Sequence, residues 1–136
     1  MRAFLALFLF LAVAQVGCAQ TIRNSSNSMI ARIESDGTVR NSSNSYIGKI
    51  ESDGDIRDGS NRLLGKLCSN GDVRDSTNSY IGKIESDGTV RNRSNSYVGR
   101  VYQDGTVRNS SNSVIGYAKD VPVRYAALYF FFDFFD

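Results

Sequence analysis

At 136 residues and a formal charge of +2, the chain has room for one ordinary domain, and its charge is too small and too mixed in sign to point to nucleic acid. It contains no His, which removes the commonest general base and the commonest metal ligand together. No catalytic residue, metal or cofactor is therefore expected.

The first predicted element is an export signal over residues 1–19, with Arg2 as a thin basic start and Phe4 to Val13 as an apolar run too short to cross a bilayer as a helix. Two processing routes compete. Cleavage after Ala19 would leave Gln20 first; alternatively, Val16-Gly17-Cys18 resembles the end of a bacterial lipoprotein box, which would keep Cys18 as a lipid-bearing terminus. Against the second, Gln15 stands where that box usually carries Leu. Either way the expected address is secreted or periplasmic, with no transmembrane segment. Only Cys68 certainly remains, so no internal disulfide framework is expected. Cys68 shares a repeat column with Glu51, Glu85 and Tyr102; it reads as a drifted position, since no base stands by to activate it.

From residue 20 to 120 the chain repeats every 17 residues, with full copies at Ile33–Lys49, Ile50–Lys66, Leu67–Lys83, Ile84–Arg100 and Val101–Tyr117. So short a period leaves no room for two helices, and each unit is a small β element that needs its neighbours. The three aliphatic side chains of one copy gain less on burial than the entropy lost in ordering 17 residues.

Two turn signals divide each copy into two strands. Asp-Gly or Asn-Gly, as at Asp36-Gly37 and Asn70-Gly71, is the strongest short hairpin cue. Asn-Ser-Ser-Asn, as at Asn41 to Asn44, is the second, because Asn and Ser side chains bond nearby backbone. A two-residue loop at the Gly turn would face Ile33 away from Val39. A three-residue loop, Ser35-Asp36-Gly37, with Gly left-handed and a bulge, sets Ile33 opposite Val39 and predicts core pairs Ile50/Ile56, Leu67/Val73, Ile84/Val90 and Val101/Val107.

A third apolar column, Ile30, Ile47, Leu64, Ile81, Val98 and Ile115, lies three residues ahead of the Ile33 column, a spacing that a regular strand cannot hold on one face. A bulge or bend at the intervening Gly48, Gly65, Gly82 or Gly99 would turn both inward; the alternative is an outer layer. The chain ends decide between an open stack and a ring. Thr21 to Asn24 is half a repeat, and Ala118 to Asp120 begins another first strand. Complementary halves remove both exposed edges, so the expected fold is all-β: a closed, propeller-like ring of about five β-hairpin repeats with a short C-terminal helix.

The S-D-G-T-V-R-N units, the Y-I-G-K-I-E linkers and the tail A-A-L-Y-F-F-F-D-F-F resemble the bacterial five-fold beta-flower family. That resemblance implies a small exported all-β protein and supplies no catalytic residues.

The tail, 121–136, breaks the repeat. Val121-Pro122-Val123 is expected to end the last strand, and the aromatic run from Tyr125 to Phe135 to form a short helix, apolar on every side. Packing on the ring as a plug or lid is one reading. Self-association through Phe130, Phe131, Phe134 and Phe135 and contact with a membrane surface are the others, the latter disfavoured by Asp133 and Asp136.

The sharpest functional feature is an Arg column: Arg23, Arg40, Arg57, Arg74, Arg91 and Arg108, one per repeat. With Lys49, Lys66, Lys83 and Arg100 it would form a basic collar for an anionic glycan or another cell-envelope component. The plainer reading pairs each Arg with a carboxylate such as Glu51, Glu85, Asp58 or Asp75. Glu51, Asp53, Asp55 and Asp58 gather in sequence without matching a calcium loop, and turn formation accounts for them. The column Tyr46, Tyr80, Tyr97, with Met29, Leu63 and Val114, stacks on sugars if exposed and otherwise packs across strands. The N-x-S sequences at Asn24, Asn41, Asn92 and Asn109 fall in turns and receive no role. The expectation is a non-catalytic structural or binding module; a glycan-binding or carbohydrate-active protein using acidic turn residues is the alternative.

Overall fold

The structure, a computed structural model, describes residues 20–135. The expectations for the leader and for Cys18 lie outside the described residues.

Twelve short strands run β1 (Thr21–Asn24), β2 (Met29–Ile33), β3 (Thr38–Asn41), β4 (Tyr46–Ile50), β5 (Asp55–Asp58), β6 (Leu63–Leu67), β7 (Asp72–Asp75), β8 (Tyr80–Ile84), β9 (Thr89–Asn92), β10 (Tyr97–Val101), β11 (Thr106–Asn109) and β12 (Val114–Tyr117). Each pairs antiparallel with its sequence neighbours, and β1 pairs with β12 to close a barrel. The seam places Arg23 opposite Tyr117 and Asn24 opposite Gly116, the register in which Arg40 faces Arg32 and Asn41 faces Ala31. Closure therefore repeats an internal hairpin whose turn is missing, and no strand edge is left unpaired. The closing partner is β12 itself. Ala118 to Asp120 is not a strand but the turn into the tail, with Asp120 at φ 64° and the Val121 N–H donating to the Ala118 carbonyl at 3.2 Å.

The Gly turns take the three-residue form. Gly37 at φ 94° donates its N–H to the Glu34 carbonyl at 2.9 Å, and the Glu34 N–H donates to the Thr38 carbonyl at 2.8 Å. Ile33 consequently faces Val39, and the other four pairs follow in the same register. All ten of these side chains are buried. The Asn/Ser turns repeat the same frame with Asn in the glycine's place. Asn44 sits at φ 67°, the Asn44 N–H donates to the Asn41 carbonyl at 2.9 Å, and the Asn41 side-chain oxygen accepts from the Ser43 and Ser45 N–H groups at 2.9 and 3.0 Å. Asn is the residue other than Gly that enters this region most readily. Gly turns and Asn/Ser turns thus form opposite rims of the barrel.

The expected bulge exists, one residue away from where the glycine suggested. Val39 faces Gly48 and Arg40 faces Tyr46, so the ladder skips Ile47. The same shift recurs at every Asn/Ser hairpin. The Ile47 column ends half-buried against the core rather than turned fully inward, and Gly48 keeps its place in the ladder as an inward-facing residue.

Helix α1 (Val123–Phe131) fills the interior. Ala126, Ala127 and Leu128 have no exposed surface and share one cluster with the inward strand residues. Its first turn sits at the Gly-turn rim, where Arg124 Nη2 donates to the Cys68 carbonyl at 2.9 Å. At the far end the tail meets the glycine column. A Cβ on Gly48 would lie 2.6 Å from a Phe135 ring carbon; on Gly65, 2.8 Å from Phe134; on Gly82, 2.7 Å from Phe132; on Gly99 and Gly116, 2.5 Å from Phe131 and Phe130. Five phenylalanines occupy the space left by five missing side chains, and Ala31, fully buried, holds the position in the first hairpin. The glycines are there for room.

Candidate functional site

Val39 and its equivalents point inward, so the Arg beside each points out. In every repeat the Arg guanidinium donates to the carbonyl of the left-handed Asn: Arg23 to Asn27 at 3.0 Å, Arg40 to Asn44 at 3.3 Å, Arg57 to Asn61 at 3.2 Å, Arg74 to Asn78 at 3.0 Å, Arg91 to Asn95 at 3.3 Å and Arg108 to Asn112 at 2.9 Å. The column therefore fastens each Asn/Ser turn to the outer wall, a role that sequence reasoning did not foresee.

The carboxylate pairing is partial. Glu34 meets Arg40 at 3.2 Å, Glu51 meets Arg57 at 3.5 Å and Glu85 meets Arg91 at 2.7 Å. Asp58 and Asp75, expected as Arg-column partners, serve the Asn/Ser turns instead. Asp58 accepts from the Ser60 and Arg62 N–H groups at 2.9 Å and pairs with Arg62 at 3.8 Å; Asp75 accepts from Thr77 and Ser79 N–H groups at 3.0 Å. Those bonds favour the ionised form, so both carboxyls sit below the usual range, Asp58 chiefly through the Arg62 N–H and Asp75 through the Thr77 hydroxyl. Among the described residues, Arg23, Arg74 and Arg108 have no carboxylate within salt-bridge distance; Cys68 and Tyr102 stand where Glu51 and Glu85 stand in other repeats.

Across the Gly-turn hairpins, cations face cations on the outer wall. Arg32 is opposite Arg40, Lys49 opposite Arg57, Lys66 opposite Arg74, Lys83 opposite Arg91, and Arg100 opposite Arg108. Like charges directly opposite destabilise a sheet, and here they recur in all five hairpins. On the other flank of the Arg column lie Met29, Tyr46, Leu63, Tyr80 and Tyr97. Met29, Tyr46, Leu63 and Tyr97 are exposed, so most of this column is a surface feature rather than core. The wall thus carries a belt of alternating cationic and apolar stripes.

The acidic group splits between the two rims. Glu51, Asp53 and Asp55 bring oxygens within 4.8 Å of one another at the Gly-turn rim, beside a cavity of about 540 Å³ also lined by Cys68, Arg124 and Tyr125. Asp58 is at the opposite rim. Asp55 is already engaged, at 3.4 Å from Arg57 and 3.6 Å from Lys66, and the Asp53 carboxylate caps its own turn by accepting from the Asp55 N–H at 3.0 Å.

A family model described as 5-fold beta-flower protein matches residues 19–135. The chain belongs to the beta-flower family. No curated protein and no solved structure gives a significant match. Within this beta-flower chain the repeat forms a closed all-β barrel of twelve strands with one short C-terminal helix. No helix among the described residues is long and apolar enough to cross a membrane.

Proposed function

We propose that this beta-flower protein is a non-catalytic binding module, exported to the cell envelope, whose outer belt takes an anionic glycan. The observation that carries the reading is the stacking of cation against cation in all five Gly-turn hairpins. Such an arrangement costs stability where no carboxylate offsets it, as at Arg74 and Arg108, and gains it back when a polyanion lies along the wall. Arg40, Arg57, Arg74, Arg91 and Arg108 present guanidinium groups suited to sulfate, phosphate or carboxylate. The exposed Tyr46 and Tyr97 beside them supply faces for sugar rings. The family's count of five then belongs to the Gly-turn units and to the Phe–Gly contacts, while the strands number twelve.

Immobilised heparin serves as the probe. The protein should be retained and elute with rising salt, and Arg74→Ala with Arg108→Ala should elute at clearly lower salt while still melting cooperatively, with only the small loss expected from two turn contacts. Equal elution of variant and parent would refute the belt, and equal retention on duplex DNA of matched charge would refute glycan preference.

A carbohydrate-active protein is the second reading, favoured by the convergence of Glu51, Asp53 and Asp55 beside the rim cavity. Glycoside turnover abolished by Asp53→Ala would establish it in place of the belt.

A further inference from the structure

The end of the barrel away from the Gly turns is closed by aromatic rings. Phe130, Phe131, Phe132 and Phe134 are each only half-buried, while Asp133 among them is exposed. The rings and the six half-buried bulge residues of the Ile47 column all pack against the buried core. The rings make an apolar disc inside the rim of Asn/Ser turns, and such a continuous patch marks a contact surface.

The rim decides what covers it. Its charges among the described turns are Asp58, Arg62, Asp75 and Arg93, two of each sign, all on three consecutive turns. We propose that a second copy of this chain docks face to face on the disc, the two related by a two-fold axis lying in the plane of contact. That operation reverses the order of turns around the ring, so with the axis between the Asp75 and Arg93 turns each Asp75 faces Arg93 of the second copy, twice over. An isologous contact needs such self-complementarity. The Asp75 oxygen that caps its turn leaves the other free to accept.

Size is consistent with a weak dimer. Twelve strands spaced about 4.8 Å apart enclose a disc of roughly 250 Å², and about twice that with the turns included. The total falls at the low end of specific interfaces, where micromolar association is usual. A lipid surface fits less well, because the Asp133, Asp58 and Asp75 carboxylates would be drawn out of water with no donors to meet them. A second copy brings the Asn and Ser groups of its own rim. The proposal is independent of the glycan belt, which lies on the outer wall.

Sedimentation velocity on the purified protein from 1 to 300 µM tests it. A monomer–dimer equilibrium is expected, weakened tenfold or more by Arg93→Glu and tightened several-fold by Asp133→Asn, which suits the left-handed backbone there (φ 57°). Both positions are exposed, so neither change should prevent folding. A monomer throughout that range would overturn the proposal. So would a dimer indifferent to Arg93→Glu, or a monomer that floats with neutral phosphatidylcholine vesicles.

Discussion

Five glycines on the wall and five phenylalanines on the tail meet one to one, yet the two regions reach that fit by different routes. The wall is periodic: every strand is placed by a turn of fixed length, so Gly48, Gly65, Gly82, Gly99 and Gly116 fall at one level by repetition. The tail is aperiodic. Phe130, Phe131, Phe132, Phe134 and Phe135 address Gly116, Gly99, Gly82, Gly65 and Gly48 in turn, running back through the repeats in reverse order, and Asp133 at φ 57° interrupts the run. A wall without the tail is a barrel with an empty apolar lumen; a tail without the wall is a short aromatic segment with nothing to cover it. The comparison teaches that each hairpin is completed twice, sideways by its neighbour and inward by one ring.

The harshest way to break the comparison is to remove one side. Deleting Arg124 to Asp136 takes away Ala126, Ala127 and Leu128, all fully buried, with every ring that meets a glycine. The wall's inner Ile, Val and Leu side chains then face water or one another across a void, and no barrel of this width closes it by collapse alone. The truncated protein should aggregate or lose its cooperative melting transition. A soluble monomer with an unchanged amide spectrum would show that the wall stands without its filling.

A finer cut tests one contact. Gly82→Ala places a methyl 2.7 Å from the Phe132 ring and 2.5 Å from the Arg91 carbonyl, an overpacking that costs about 1–3 kcal/mol. Phe132→Ala leaves a cavity at a half-buried site and should cost about 2–3 kcal/mol, below the range for a fully buried ring. If the two residues answer to each other, the double variant is less destabilised than the two effects added, by about 1 kcal/mol or more in chemical denaturation. Strict additivity would mean that the glycine serves the Arg91 carbonyl alone. Ala31 sharpens the expectation, since the wall already accommodates a methyl at that level in β2.

The wall was far more legible from sequence than the tail's fit to it, and the reason is physical. Repetition multiplies a weak cue: one Asp-Gly is ambiguous, but the facing of Ile33 and Val39 had to satisfy five copies at once, and loop length followed. The half repeat at Thr21 to Asn24 likewise announced closure, although the strand that meets it is Val114–Tyr117 rather than the residues after it. Three features escaped. Gly48 suggests a bend because local sequence shows only a strand residue lacking a side chain, and what fills the gap is more than eighty positions away. Asn44 as a counterpart of Gly37 was within reach, since Asn is the other residue at home in that backbone region. The Arg column suggests a ligand or a carboxylate as partner; its common partner is a backbone carbonyl, which a sequence does not display.

The smallest expected effect concerns the two rims and their acids. At the Gly turns, Asp36, Asp87 and Asp104 accept from the N–H of Thr38, Thr89 and Thr106 at 2.9 Å. The bond to that N–H, then the Thr hydroxyl, holds each carboxyl below its usual value. At the other rim Asp58 and Asp75 are lowered in the same direction. A carboxyl depressed on folding stabilises the native state above its unfolded pKa, and that contribution is lost as pH falls through the lower folded value. Stability should therefore be level from neutral pH down to the ordinary carboxylate range and then decline. Asp36, Asp87 and Asp104 are exposed and Asp58 and Asp75 half-exposed, so each contribution is small and the drop should appear as a shallow loss of melting temperature. Asp36→Asn keeps an acceptor for the Thr38 N–H while removing the titration, and should flatten the acid limb slightly with little change at neutral pH. Asp75→Asn should do the same at the opposite rim, because an amide oxygen there can still accept from the Thr77 hydroxyl and the Thr77 and Ser79 N–H groups. An acid limb that neither variant alters would leave the turn acids with a purely geometric role.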